Sequence, residues 1–252
     1  CSALNTYFSC PRQFLYADIL KIPVSDEDKG SANYGSAVHS ALQYAAKTAA
    51  DAGKYPDSGQ FIEIFEKNLA MQKFENAQVR TVFLERGRKS LANYYKYMLD
   101  TPPQRLFAAE YSFKYLPYNN HFLKGFIDRI ERNSDGTYEI FDYKTGEAKP
   151  KKQIADGMNY EHYLDQLRFY KAAFELENPN SKALRAGIIF VEEPEGSFYT
   201  DLTEEDNRLI FNKINEAYEG IDALKFNPPD KSGRDCSFCS YKHICRLADI
   251  NV

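Results

Sequence analysis

The stretch Gly125–Gly146, GFIDRIERNSDGTYEIFDYKTG, constrains the chain more than any other. It reads as two short strands around a tight turn, with Asp128 on the first strand and Asp142-Tyr143-Lys144 closing the second. Side chains alternate faces along a strand, so Tyr138, Ile140, Asp142 and Lys144 share one face and Phe141 and Tyr143 take the other. Two carboxylates and an ammonium on one hairpin are costly to bury without a compensating role. Divalent-metal hydrolysis of a phosphodiester supplies such a role; a surface hairpin with solvated charges is the bland alternative. A shared metal site sets a condition on the turn. A two-residue Asp135-Gly136 loop places Asp128 opposite Tyr143, on the wrong face. A three-residue loop, Ser134–Gly136 with Gly136 left-handed, places Asp128 opposite Asp142, and this is the register expected. Hard oxygen donors suit Mg2+ or Mn2+. Lys144 then stands beside Asp142, able to neutralise developing charge or hold a water.

The rest of the chain is long enough to support such a hairpin with a sizeable core: 252 residues, 43% hydrophobic, with 19 Tyr and 18 Phe but no Trp. A net charge of −4 gives no support to a strongly basic nucleic-acid binder, so any such site is a local patch or belongs to a larger assembly. No apolar run is long enough to span a bilayer and no signal peptide is visible, which points to a cytoplasmic protein without a membrane partner. The chain opens on Cys1 and enters a helical pattern almost at once. This reads as a fragment of a longer polypeptide, with a lipidated N-terminal cysteine as the alternative.

Residues 2–20 read as a short helix, a break at Pro11 and a second helix, with Ser2 as an N-cap and Pro11 in the first turn of the second helix. Cys10 then lies at a helix N-terminus, where the dipole favours a thiolate; a small buried hydrophobe is the other reading. Residues 24–34 read as a polar loop, and a helix from about Ser36 carries His39 beside an apolar face of Val38, Leu42, Ala45 and Ala49. Two further helices near 60–74 and 77–100 end at Pro102-Pro103 and look like a cap inserted before a sheet. Strands are expected over 106–117, 121–132 and 137–144, followed by a basic loop at Lys149–Lys152. A strand Glu normally lies on a solvated face, so Glu110 in the first strand is a weak candidate for a metal site and stays outside the expected ligand set.

Residues 159–177 form an amphipathic helix on which Tyr163, Leu167, Tyr170 and Phe174 recur, with Gln166 and Tyr170 four apart on a shared face. Core packing is the expected use of Tyr163 and Phe169, with base stacking as the alternative. A nearly continuous apolar run at 185–192 marks a buried strand, and 197–202 another short one. Thr203 caps a helix to about Leu224 whose acidic first turn suits the dipole. The order predicts an α/β fold with a mixed sheet flanked by helices and a helical region inserted before it. Of five cysteines, Cys236, Cys239 and Cys245 crowd into ten residues at metal-ligand spacing. The odd count and the missing secretion signal argue against a disulfide framework.

GFIDR, then DYKTG, then QLRFY, preceded by SALNTYFSCPRQFLY and GSAVHSAL and closed by CSFCSYKHIC, resembles the RecB-like branch of the PD-(D/E)XK nucleases. The closing cysteines resemble those of members carrying a 4Fe–4S cluster, such as AddB-type helicase–nucleases and CRISPR-associated adaptation exonucleases. The resemblance implies a restriction-endonuclease-like core at 105–225, a helical part at 35–104, and a staple formed by 1–20 with 230–252, all in one nuclease domain. It implies His39, Asp128, Asp142 and the Tyr143 carbonyl as metal ligands, Lys144 as the catalytic lysine, and Gln166 and Tyr170 as the accessory motif. Cys10, Cys236, Cys239 and Cys245 become cluster ligands, although thiolates equally hold Zn2+; Cys1 is a bystander. The implied function is a Mg2+- or Mn2+-dependent deoxyribonuclease, exonuclease rather than endonuclease, acting on single-stranded DNA or duplex ends. Its setting is the C-terminal domain of a helicase–nuclease for double-strand break repair and recombination, with the helicase motor in the same polypeptide or complex. The alternatives are an inactive DNA-binding structural module, a free-standing CRISPR-adaptation-type exonuclease, and a Zn-stapled binding domain with an incidental hairpin.

Overall fold

Apolar strips on the two faces of a single sheet organise the chain. The computed structural model describes residues 2–24, 29–148, 158–228, 236 and 239–248. Cys1, the Lys149–Lys152 loop and much of the 230–252 segment lie outside the described residues. The order is α1 (Ser2–Ser9), α2 (Pro11–Phe14) continuing as a π-helical turn (Leu15–Ile19), α3 (Gly30–Ala52), α4 (Ser58–Met71) and α5 (Ala77–Leu99). Then come β1 (Leu106–Tyr118), β2 (His121–Arg132), β3 (Tyr138–Lys144), α6 (Met158–Glu177), β4 (Ala183–Phe190), β5 (Phe198–Asp201), α7 (Glu204–Asp222) and α8 (Lys242–Ala248). The expected α/β architecture with a mixed sheet is found.

The five strands lie side by side in chain order. Neighbours run antiparallel except β3 and β4, which are parallel. A parallel pair needs a crossover, and α6 supplies it. On one face, Leu167 and Phe174 of α6 and Ile210 and Ile214 of α7 pack on Ile130, Ile140 and Ile188. On the other, α3, α4 and α5 bring Val38, Leu42, Phe61, Phe65 and Tyr94 onto Phe141, Tyr143, Ile189 and Val191. The helical region thus packs over one face of the sheet, as a cap would. The expected division of β3 into two faces follows the same split, with Ile140 on the α6 side and Phe141 and Tyr143 on the α3 side.

One close approach fixes how α4 and α5 pack. A Cβ added to Gly87 would lie 2.0 Å from Cζ of the fully buried Phe65. Gly87→Ala must push the two helices apart, and an overpacked core of this kind costs about 1–3 kcal/mol. Chemical denaturation is expected to show a lower midpoint with an unchanged slope.

The turn meets the condition set by the sequence. Arg129 pairs with Phe141, Ile130 with Ile140 and Arg132 with Tyr138. Asn133 N–H donates to Thr137 O at 2.8 Å, which leaves Ser134–Gly136 as the three-residue loop with Gly136 at φ +86°. One step beyond Arg129–Phe141, this register sets Asp128 opposite Asp142. Thr203 caps α7 through a capping box with Asp206. Two local expectations change. The third helix begins at Gly30, six residues before Ser36, because Tyr34 is buried against Phe83 and Phe65 and draws the polar GSAN turn into the helix. Ser2 lies inside α1 rather than capping it.

Candidate metal and hydrolytic centre

β2 and β3 deliver the two aspartates at adjacent positions, and two helices, α3 and α6, close around them. Asp128 is buried, and its Oδ2 accepts the Tyr143 N–H at 2.7 Å, where the β2–β3 ladder gives out. Its Oδ1 faces His39 Nδ1 of α3 at 3.5 Å. His39 Nδ1 also lies 3.7 Å from Glu110 Oε1. Glu110 is on β1 with a left-handed φ of +50°, a strained conformation for a non-glycine residue in a strand. Among the described residues, His39, Glu110 and Asp128 form a group whose ligand atoms all lie within 4.8 Å of one another.

Asp142 takes part differently. Its Oδ1 accepts Gln166 Nε2 at 2.7 Å and Tyr170 OH at 3.2 Å, both from α6. Its Oδ2 is buried without hydrogen-bond geometry to any group, with the Lys144 Nζ 2.8 Å away. Lys144 in turn donates to Gln166 Oε1 at 2.9 Å, and Gln166 Nε2 lies 2.8 Å from Tyr170 OH. One glutamine thus fixes both the lysine and the aspartate. Phe169, in contrast, is core and only 5% exposed.

The charges pull against each other. Burial lowers the His39 pKa, but hydrogen bonding to Asp128 and Glu110 and the charges of Asp128 and Asp142 outweigh it and push it up to about 10. Burial holds the Asp142 carboxyl above its usual range, against the downward pull of Lys144 and with the Asp128 charge adding to the rise. Tyr170 is raised by burial and by the same two carboxylates, so it stays a protonated donor. The Glu110 and Asp128 carboxylates gathered on one imidazole are a donor set that suits a divalent cation.

A clamp holds α3 over this end of the sheet. Arg86 Nε of α5 reaches both Glu192 oxygens at 2.9 and 3.0 Å, and Arg86 Nη2 donates to the Thr145 carbonyl at 3.2 Å. Tyr34 OH donates to Glu192 at 3.3 Å. Gly35 lets α3 sit against Thr145, since a Cβ there would be 3.4 Å from its Oγ1. An open cleft of about 490 Å³ lined by Ser36, His39, Ser40, Gln43 and Glu110 leads to the centre.

A family model described as the PD-(D/E)XK nuclease superfamily matches residues 1–246. The chain belongs to that superfamily. The five-stranded mixed sheet flanked by helices is consistent with the restriction-endonuclease-like fold of that nuclease superfamily. No curated protein matches this PD-(D/E)XK chain. Among solved structures, protein VC1899 from Vibrio cholerae matches with 15% identity over 75% of this chain and 48% of its own, at a TM-score of 0.26. That overlap is too loose to carry an argument.

The expected residues fall into two linked groups. His39 and Asp128 come together, and their close partner is Glu110, the weak candidate on β1. Asp142, expected to share the metal with them, is turned toward Lys144, Gln166 and Tyr170. Tyr143 enters the site through its amide. Glu110 was hidden because its placement depends on β1 pairing in register with β2, Ala109 opposite Arg129 and Tyr111 opposite Ile127. Alternation alone treats it as one more strand residue.

Cys10 and Cys245 lie where α2 meets the segment around Tyr241. Cys10 caps α2, its Sγ accepting the Gln13 N–H at 3.4 Å. Arg12 Nη1 donates to Cys245 Sγ at 3.7 Å, Tyr16 and Tyr241 rings lie 5.7 Å apart, and Tyr241 OH donates to the Ile22 carbonyl at 3.0 Å. Cys10, Cys236, Cys239 and Cys245 are free thiols. Among the described residues no helix is long and apolar enough to cross a membrane.

Proposed function

We propose that this PD-(D/E)XK chain is a RecB-like deoxyribonuclease domain, an exonuclease working beside a helicase motor in double-strand break repair and recombination. The observation that carries the hydrolytic part is the meeting of His39, Glu110 and Asp128 with the Asp142–Lys144–Gln166 network at one end of the sheet. His39, Glu110 and Asp128, with Asp142 Oδ2 alongside, would hold Mg2+ or Mn2+, which polarises the scissile phosphate. Lys144 presents its ammonium to the charge that develops on the phosphate oxygens. Gln166 fixes Lys144 at hydrogen-bond distance, and Tyr170 shares in holding Asp142. The intact lysine–glutamine–aspartate network favours an active enzyme over an inactive DNA-binding module.

The helicase setting and the 4Fe–4S staple rest on the motif resemblance. The junction of α2 with the segment around Cys239–Cys245 supports a staple, and four thiols are the donor set that such a cluster uses. On this reading Cys236→Ala lowers thermal stability and removes the visible absorbance of anaerobically purified protein. A colourless protein with stoichiometric zinc would assign the thiols to Zn2+ instead. Labelled single-stranded DNA incubated with Mn2+ or Mg2+ tests the enzyme directly. Metal-dependent release of short products is expected, and no cleavage under either metal would overturn the nuclease reading.

A further inference from the structure

The site explains the end of β1 and β2 near Asp128 but not their other half, which carries an unusual surface. Among the described residues, five Phe and Tyr side chains are strongly exposed, and three of them gather here: Tyr115 at 77%, Phe122 at 61% and Phe126 at 51%. Lys114 and Lys124 are exposed between them. The α6 side of these strands is already filled by Phe113, Leu123 and Ile127. A Cβ on Gly125 would lie 2.5 Å from the Phe113 ring, so the missing side chain lets that ring cross beneath β2. Phe122, Lys124 and Phe126 alternate with these buried residues and point away from α6. On β1 the register shifts between Phe113 and Leu116, and Tyr115 sits at φ +55°. That strained bulge turns both Lys114 and Tyr115 to solvent and sets the Tyr115 ring edge-on to Phe122 at 6.1 Å.

We propose that this face of β1 and β2 is a stacking platform for single-stranded DNA that feeds the strand toward His39, Glu110 and Asp128. The inference rests on the nuclease reading and names its substrate form. Continuity with the site is direct: Asp128 follows Phe126 by two residues on the same strand, about 7 Å along it. Rings interleaved with lysines, with no acid in the row before Glu110, match a ligand offering both base faces and phosphates. Duplex DNA offers the phosphates alone, because its bases already stack on each other.

Anisotropy titrations of labelled oligothymidylate in EDTA test the platform apart from the chemistry. Phe122→Ala/Phe126→Ala is expected to weaken binding about tenfold or more, with blunt duplex affected less than twofold. Phe122→Tyr/Phe126→Tyr is expected to bind as the parent does. Lys114→Ala/Lys124→Ala should flatten the salt dependence of log K by about 0.7 per lysine. Metal-dependent hydrolysis of bis(4-nitrophenyl) phosphate, which needs no stacking, is expected to be unchanged in the alanine double variant. Unchanged oligothymidylate affinity in that variant overturns the platform. So does the loss of a concentration-dependent dimer in the same variant, which would assign the face to a second copy of the chain. A wild type that binds oligothymidylate through these rings yet hydrolyses neither substrate would overturn the nuclease reading and leave the platform standing.

Discussion

Replacing Lys144 by alanine is expected to slow phosphodiester hydrolysis by about 10²–10³-fold while leaving DNA affinity within a few-fold. Lys144 is 30% exposed, so its ammonium can meet substrate, yet a hydrogen bond to Gln166 and an ion pair with Asp142 fix its position. It is also the cation paired with the buried Oδ2 of Asp142 at 2.8 Å. Removing it takes away the main downward pull on the Asp142 carboxyl, which burial then drives further up. The variant should therefore lose the cation that meets the phosphate and also the group that offsets burial at Asp142. Lys144→Arg is not expected to restore the rate, because a planar fork cannot occupy the point position between Asp142 and Gln166. Single-turnover release of labelled nucleotides at saturating Mn2+ checks this, and a rate within threefold of the parent would remove Lys144 from the chemistry.

The second large effect is on metal affinity as a function of pH. With a pKa pushed up to about 10, His39 carries a proton at neutral pH in the metal-free protein. A cation that takes the imidazole must displace that proton, so apparent Mn2+ affinity should rise about tenfold per pH unit between about pH 7 and 9. His39→Asn should flatten that slope. Glu110→Gln should weaken binding at least tenfold by removing a charge from the group, an effect of about the size expected for groups supporting a metal. Isothermal titration across pH measures both. The sign for stability is opposite. The folded metal-free protein holds the His39 proton more tightly than the unfolded chain, whose histidine titrates near about 6.5. That contribution is complete below the unfolded value and is lost as pH rises through about 10. A metal-free domain should thus be losing stability over the range where metal affinity is growing.

Local patterns carried much of this far. The hairpin register followed from Gly136 and the count of loop residues, because a side-chain period of two makes one residue decisive. Gln166 and Tyr170 share a face, as helical spacing required, and that face meets Asp142. What escaped depended on contacts between distant segments. Gly30 to Asn33 look like loop residues, yet Tyr34 anchors them by stacking on Phe83 and receiving Arg86 over its ring at 5.1 Å. Glu110 acquires its place only from a left-handed backbone in the middle of a paired strand, which no residue pattern announces.

The amide of Tyr143 is the seam between the two groups of acids, since it is what the Asp128 carboxylate grips. His39, Glu110 and Asp128 all lie on elements before β3; Asp142 and Lys144 flank that amide on β3 itself, and Gln166 and Tyr170 follow on α6. Synthesis runs from the N-terminus, so a nascent chain complete through β2 has the histidine and its two acids but neither lysine nor glutamine. Under the proposed roles it can gather a cation without cutting anything. Zipping β3 onto β2 in the wrong register would leave it equally harmless. Cutting power would then arrive last, and only in molecules whose turn at Gly136 has closed correctly.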